Sequence, residues 1–157
     1  MPRLLAIDDD PQVLRALERD LRELRAELVL ERDPRAALAR LDDAEFDVVI
    51  AACRMPDIDG LQVLTEVRRR CPATLRLMLI GHADMRGRGA ALNAAGIFRF
   101  LAKPWGAPEL REVLGAALAQ RERLLATRRA LQAALPGEEL SIRRRLTAGE
   151  LRKLANA

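Results

Sequence analysis

Three consecutive carboxylates, Asp8-Asp9-Asp10, stand directly after a short apolar run at residues 4–7. Adjacent carboxylates supply hard oxygen donors of the kind that suit Mg²⁺. Far along the chain Lys103, one of only two lysines, follows another apolar run and precedes Pro104. Its ammonium is a point charge that could pair with those carboxylates or with a phosphate. Other chemistries find little support. The single histidine, His82, has no Ser, Cys or Asp constellation assigned to it. Cys53 and Cys71 lie in no paired motif, so no zinc cluster of usual spacing can be assembled from them. The segment Met85-Arg86-Gly87-Arg88-Gly89 lacks the spacing of a phosphate-binding loop, and its two glycines foretell a short or loosened helix.

Carboxylates and amine meet only if the fold brings them together. The first 120 residues alternate short apolar runs with longer amphipathic stretches. Strands are expected at 4–7, 27–31, 48–52, 75–80 and 97–101. The run at 48–52 is continuously apolar, as in a central strand covered on both faces. Between them, Pro11 opens a helix over 11–25 whose apolar face is Val13, Leu14, Leu17, Leu21 and Leu24, with Asp10 as its cap. Asp33 caps a second helix, 61–70 forms a third with Leu61, Leu64 and Val67 inward, and Asp84 caps a fourth that Gly96 ends. A helix over 108–135 closes the series. Five strand-helix units imply an α/β fold, a doubly wound five-stranded parallel sheet with a C-terminal helical extension. In such sheets the site lies beyond the carboxyl ends of the strands.

At those ends stand Ile7-Asp8-Asp9-Asp10-Pro11, then Arg54-Met55-Pro56-Asp57-Ile58-Asp59-Gly60, then Gly81-His82-Ala83-Asp84, then Arg99-Phe100-Leu101-Ala102-Lys103-Pro104-Trp105. Four such motifs in order resemble the receiver domain of two-component response regulators, a flavodoxin-like fold, over residues 2–120. The resemblance implies that Asp8, Asp9 and the backbone carbonyl of Arg54 hold Mg²⁺, that Lys103 is the family's active-site lysine, and that Ile80 and Phe100 occupy its two switch positions. The family's phospho-acceptor aspartate aligns with Ala52. A methyl group has no nucleophilic oxygen, so aspartyl-phosphate chemistry is lost at that position and the metal cage is weakened. Ile80 likewise lacks the hydroxyl that reads a phosphoryl group.

Two losses in one cleft argue for a naturally degenerate receiver. An engineered Asp-to-Ala variant of an ordinary phospho-switch stays open as one alternative, which a gene encoding aspartate at position 52 would establish, and a small nucleic-acid-binding regulator using the basic tail as another, which steep salt dependence of binding would support. Asp8 and Asp9 are expected to face the cleft with residual, weak Mg²⁺ binding, and Lys103 to pair with one of them. Phe100 reads as core packing, and Trp105 as a cover over the sheet end or an interface. A metal-dependent phosphohydrolase on a similar fold fails for want of a nucleophile. The chain is read as a non-enzyme.

Aromatics are sparse, with three Phe, one Trp and no Tyr, so the core must be aliphatic. Net charge is +4, distributed as 18 basic against 19 acidic residues over 1–120 and 9 against 4 over 121–157. Arg outnumbers Lys 25 to 2, so the basic surplus reads as compositional. Residues 1–120 are taken as the receiver domain, and 121–157 as an extended last helix and basic helical tail. Leu110, Leu114, Ala117, Leu124, Leu131 and Leu135 make a seam that Arg121 and Arg128 interrupt, about four turns past a receiver's usual end. That extension suggests helix pairing, either with a second chain as a homodimer or with a downstream segment. Pro136-Gly137 ends it, and Thr147-Ala148-Gly149-Glu150 caps a short last helix. Nucleic acid is an unlikely partner despite Arg143-Arg144-Arg145, because no aromatic platform or helix-turn-helix accompanies them. A signalling protein, kinase or output protein, is the expected partner. No run is apolar enough to span a membrane, and the thiols suit a reducing, cytoplasmic setting.

Overall fold

The computed structural model describes residues 1–84, 93 and 95–134. Five parallel strands, β1 (Arg3–Ile7), β2 (Glu27–Glu31), β3 (Val48–Ala52), β4 (Leu75–Ile80) and β5 (Arg99–Ala102), pair in the order β2-β1-β3-β4-β5. The helices are α1 (Pro11–Asp20), α2 (Pro34–Asp43), α3 (Gly60–Arg70) and α4 (Ala107–Ala134), with a 3₁₀ turn at His82–Asp84. The expected doubly wound sheet is therefore present. Its strand order reverses between β1 and β3, and the crevice outside the carboxyl ends of those two strands is where such sheets bind ligands.

The pleat divides the strand residues between two cores. Leu5, Ile7, Val49, Ala51, Met78 and Ile80 face α2 and α3, meeting Ala37, Val63, Leu64 and Val67. Leu4, Ala6, Val48, Ile50, Leu77, Leu79 and Leu101 face α1 and α4, meeting Leu14, Leu17, Leu110, Leu114 and Ala117. Aliphatic side chains dominate both layers, as the scarcity of aromatics requires. Val63, absent from the inward face read for the third helix, is fully buried there.

Local chemistry sets the helix starts. Asp10 and Asp33 cap α1 and α2 by accepting the backbone N–H groups of Gln12 and Arg35, each with a proline in the first turn. Asp59 and Gln62 form a reciprocal capping box on α3. Gly60 opens α3 so close to β3 that an added Cβ would lie 1.9 Å from the Ala52 carbonyl oxygen. Only glycine fits there.

Four expectations need correction. The first helix ends at Asp20, not residue 25, because Leu21 caps it and the chain turns with Leu24 N–H bonded to Leu21 O. The fifth strand begins at Arg99 rather than residue 97. Phe100 is not core: it lies on the edge strand and is 40% exposed, while its neighbour Leu101 points the other way into the α1–α4 layer. Arg121 does not interrupt the seam of α4. It is 5% exposed, with its guanidinium bonded to Asp47, Glu45 and the Ala73 carbonyl. Gly96 has the positive φ, 61°, expected of a glycine that stops a helix. The helix expected between Asp84 and Gly96, the glycines at 87 and 89, and everything read after residue 134 lie outside the described residues.

Candidate functional site

Asp8 leaves the carboxyl end of β1 and is held there by its backbone N–H, which donates to Glu31 O at 3.2 Å. Its side chain is 1% exposed. Oδ1 accepts the Asp10 N–H at 3.0 Å, and Oδ2 accepts the Lys103 ammonium at 2.6 Å. Lys103 reaches it from the end of β5, where its backbone N–H donates to Ile80 O at 2.9 Å. That bond extends the β4–β5 ladder by one step and fixes the root of the lysine. The pairing of Lys103 with an aspartate of the first motif, expected from sequence, is thus present.

Burial pushes the Asp8 carboxyl above its ordinary range. The hydrogen bonds from Lys103 and Asp10 and the Lys103 charge pull the other way, while the neighbouring Asp9 charge adds to the rise. Asp9 itself is exposed, and its carbonyl accepts from the Arg32 guanidinium at 3.2 Å. Asp10 is spent on the helix cap.

Ala52 ends β3 and is fully buried. Cys53 follows it, its N–H bonded to Leu79 O and its carbonyl accepting Gly60 N–H. Cys53 and Cys71 form no disulfide. Ile80 is buried at the end of β4, where its carbonyl serves Lys103. Arg54 turns its guanidinium outward and pairs with Asp84, which ties the β3–α3 loop to the 3₁₀ turn after β4. Sequence reading missed that pair, since it gave Asp84 a helix cap and Arg54 only a carbonyl. The loop between them carries Asp57 at φ 66°, a left-handed position that a short polar side chain tolerates.

Trp105 sits beyond the cis peptide bond Lys103-Pro104. Its indole N–H donates to Asp20 at 2.9 Å and its ring packs on the α1–α4 layer. It is thereby joined to the last residue of α1. Burial raises the Asp20 carboxyl, but hydrogen bonds from Arg19 and Trp105, aided by the charges of Arg19 and Arg111, outweigh it and hold the group below its ordinary range.

The strand ends therefore bring together Asp8, Ala52, Ile80 and Lys103, with Asp9 and Arg54 at the margin. Residues 4–115 match the family model of the response regulator receiver domain. The chain belongs to that family. Among curated proteins, this receiver domain is 35% identical over 103 residues to the hydrogenase transcriptional regulatory protein HoxA of Cupriavidus necator, covering 65% of the chain and 21% of that protein. It is 32% identical over 108 residues to the transcriptional regulatory protein TcrA of Mycobacterium tuberculosis, covering 69% of the chain and 42% of that protein. The chain thus spans about a fifth of the first and about two fifths of the second. Among solved structures, the signal receiver domain of an HD domain-containing protein from Pseudomonas fluorescens superposes with a TM-score of 0.73 at 31% identity, over 85% of this chain and 93% of that one. The chemotaxis protein CheY4 of Vibrio cholerae gives 0.69 at 28%, over 75% and 99%.

Receivers are regulatory modules of two-component response regulators, and the flavodoxin-like sheet is the one they use. No helix among the described residues is long and apolar enough to cross a membrane. Among the same residues, no three side chains of His, Cys, Asp or Glu come together in a way that could hold a metal ion.

Proposed function

We propose that this receiver is a degenerate one: a non-enzymatic, cytoplasmic signalling adaptor that is not phosphorylated at the usual position. The observation that carries the reading is Ala52, a buried methyl at the end of β3 on the rim that also holds Asp8 and Lys103. An acyl phosphate needs a carboxylate oxygen as nucleophile, and this rim offers none at the acceptor position. Ile80 removes the hydroxyl that would report a phosphoryl group, so acceptor and reader are lost together. Two coordinated losses favour natural degeneracy over a single engineered change.

The input is then partner binding, dimerisation or abundance. Residues 1–120 act as the domain and 121–157 as its extension. The partner is a signalling protein, a kinase or an output protein, and a second copy can join through the far end of α4. The relatives' names speak of transcriptional regulation, but the chain spans too little of them to import a nucleic-acid role. The test is incubation with a small phosphodonor and Mg²⁺, comparing this chain with an Ala52→Asp, Ile80→Thr double variant. Acylphosphate on the double variant alone is the expected result. A stable acylphosphate on the unaltered chain would overturn the proposal.

A further inference from the structure

The family resemblance implies Mg²⁺ in the cleft, and the donor set of this chain does not fit that ion. Mg²⁺ demands near-octahedral oxygen ligands at short range. Asp8 is the one buried carboxylate here, and both of its oxygens are committed, Oδ1 to the Asp10 N–H and Oδ2 to the Lys103 ammonium. Asp9 is exposed, and position 52 contributes a methyl. Charge counting sharpens the conflict. Asp8 and Lys103 cancel, so a divalent ion added beside them would be balanced only by the exposed carboxylates of Asp9 and Asp10, the latter already capping α1. Like charges a few ångströms apart in a partly desolvated cleft repel by several kcal/mol before screening, on the order of 4 at 4 Å.

We infer that the Lys103 ammonium is the resident cation of this cleft, an internal counter-ion that excludes Mg²⁺ instead of acting beside it. The inference rests on the reading of Ala52 given above. With a second buried carboxylate the rim could satisfy both an amine and a divalent ion. With Asp8 alone it satisfies one, and Lys103 is covalently present at an effectively fixed concentration. Its backbone, bonded to Ile80 O, keeps the ammonium within reach of Asp8. The Arg54–Asp84 pair sets a second internal contact on the same rim, so its loops are joined by the chain's own charges.

The experiment is titration of the full chain with Mn²⁺ alone, followed by the loss of the free-ion paramagnetic resonance signal, with Mg²⁺ as competitor. The unaltered chain and Lys103→Gln are compared, and Lys103→Met is run in parallel in case the amide variant does not fold. The expected result is no saturable binding by the unaltered chain at millimolar metal. Removing the amine is expected to create a saturable site, tighter by about tenfold or more, a factor equivalent to about 1.4 kcal/mol. Saturable binding by the unaltered chain would overturn the inference. So would variants that fold yet bind no better than the unaltered chain, since Lys103 would then not be the excluding group. Phosphodonor labelling of the unaltered chain reads the acceptor position separately, so failure of that reading is distinguished from failure of this one.

Discussion

The two edges of the sheet each hold a buried charge, and they hold it differently. At the carboxyl edge Lys103 meets Asp8 through one contact, and the lysine side chain remains 30% exposed. At the amino edge Arg121 reaches from the middle of α4 to Asp47, Glu45 and the Ala73 carbonyl, with 7% of its side chain exposed. Asp47 also accepts the Arg3 N–H, which locks the start of β1 into the same cluster. Beside it Arg76, fully buried in β4, donates to the carbonyls of Gly96 and Thr74. Guanidinium forks divided among several fixed acceptors make a structural joint. A single ammonium on one carboxylate makes one contact, with the lysine partly open to solvent. The amino edge is held by several fixed contacts, whereas the carboxyl edge rests on one.

Substitutions can break this contrast, and the largest effect belongs to the amino edge. Arg121→Ala leaves Asp47 half satisfied and unpins α4, with an expected loss of about 3 kcal/mol in a urea melt, the low end for removing one partner of a buried pair because Glu45 is exposed. A loss no larger than that of Arg123→Ala, whose hydrogen bonds among the described residues go to Gln120 on the same helix, would erase the distinction. Next comes Gly60→Ala, which drives a methyl into the Ala52 carbonyl and should cost about 2 kcal/mol by overpacking, against the small gain alanine normally brings to a helix.

Lys103→Gln ranks third, at about 1 kcal/mol near neutrality, as befits a partly exposed pair. Its sign with pH is definite. The folded Asp8 carboxyl stands above its ordinary range, so the native state holds that proton more tightly than the unfolded chain. Stability therefore falls as pH rises through the raised value and returns on acidification. Losing the ammonium raises Asp8 further and steepens that fall, which paired melts at mildly acidic and neutral pH would measure. The smallest effect is optical. Asp20 is held low, so its contribution is present above the ordinary carboxylate value and is lost as pH falls through the lowered one. Trp105, the sole tryptophan, should report that loss as an acid fluorescence transition that Asp20→Asn removes.

What could be read from the chain beforehand follows the same division. The strands and the caps Asp10 and Asp33 are written in local pattern, because proline, cap and apolar period act over a few residues; the meeting of Lys103 with Asp8, 95 residues earlier, followed from both standing at strand ends of a parallel sheet. Arg121 was misread because heptad spacing sees a polar residue in an apolar seam but not Asp47, 74 residues earlier, that receives it. Phe100 was misread because alternation places a side chain on a face without revealing that its strand is the sheet's last. Leu21 and Leu24 kept helical spacing through what became a turn, since two residues of the right period do not outweigh a capped helix end. The Arg54–Asp84 pair joins loops 30 residues apart and left no local trace.

The length of α4 has a mechanical consequence. Its 28 residues make a rod about 42 Å long at roughly 1.5 Å per residue. Its proximal turns are bolted to the body through Leu110, Leu114, Ala117 and Arg121, with Leu124 still in contact. The ten residues beyond Leu124 then form a lever arm about 15 Å long, continuous with the bolted part. A string would tell a protein gripping that arm only how far away the body is. A rigid shaft also conveys the body's azimuth and tilt, so orientation itself can be the message.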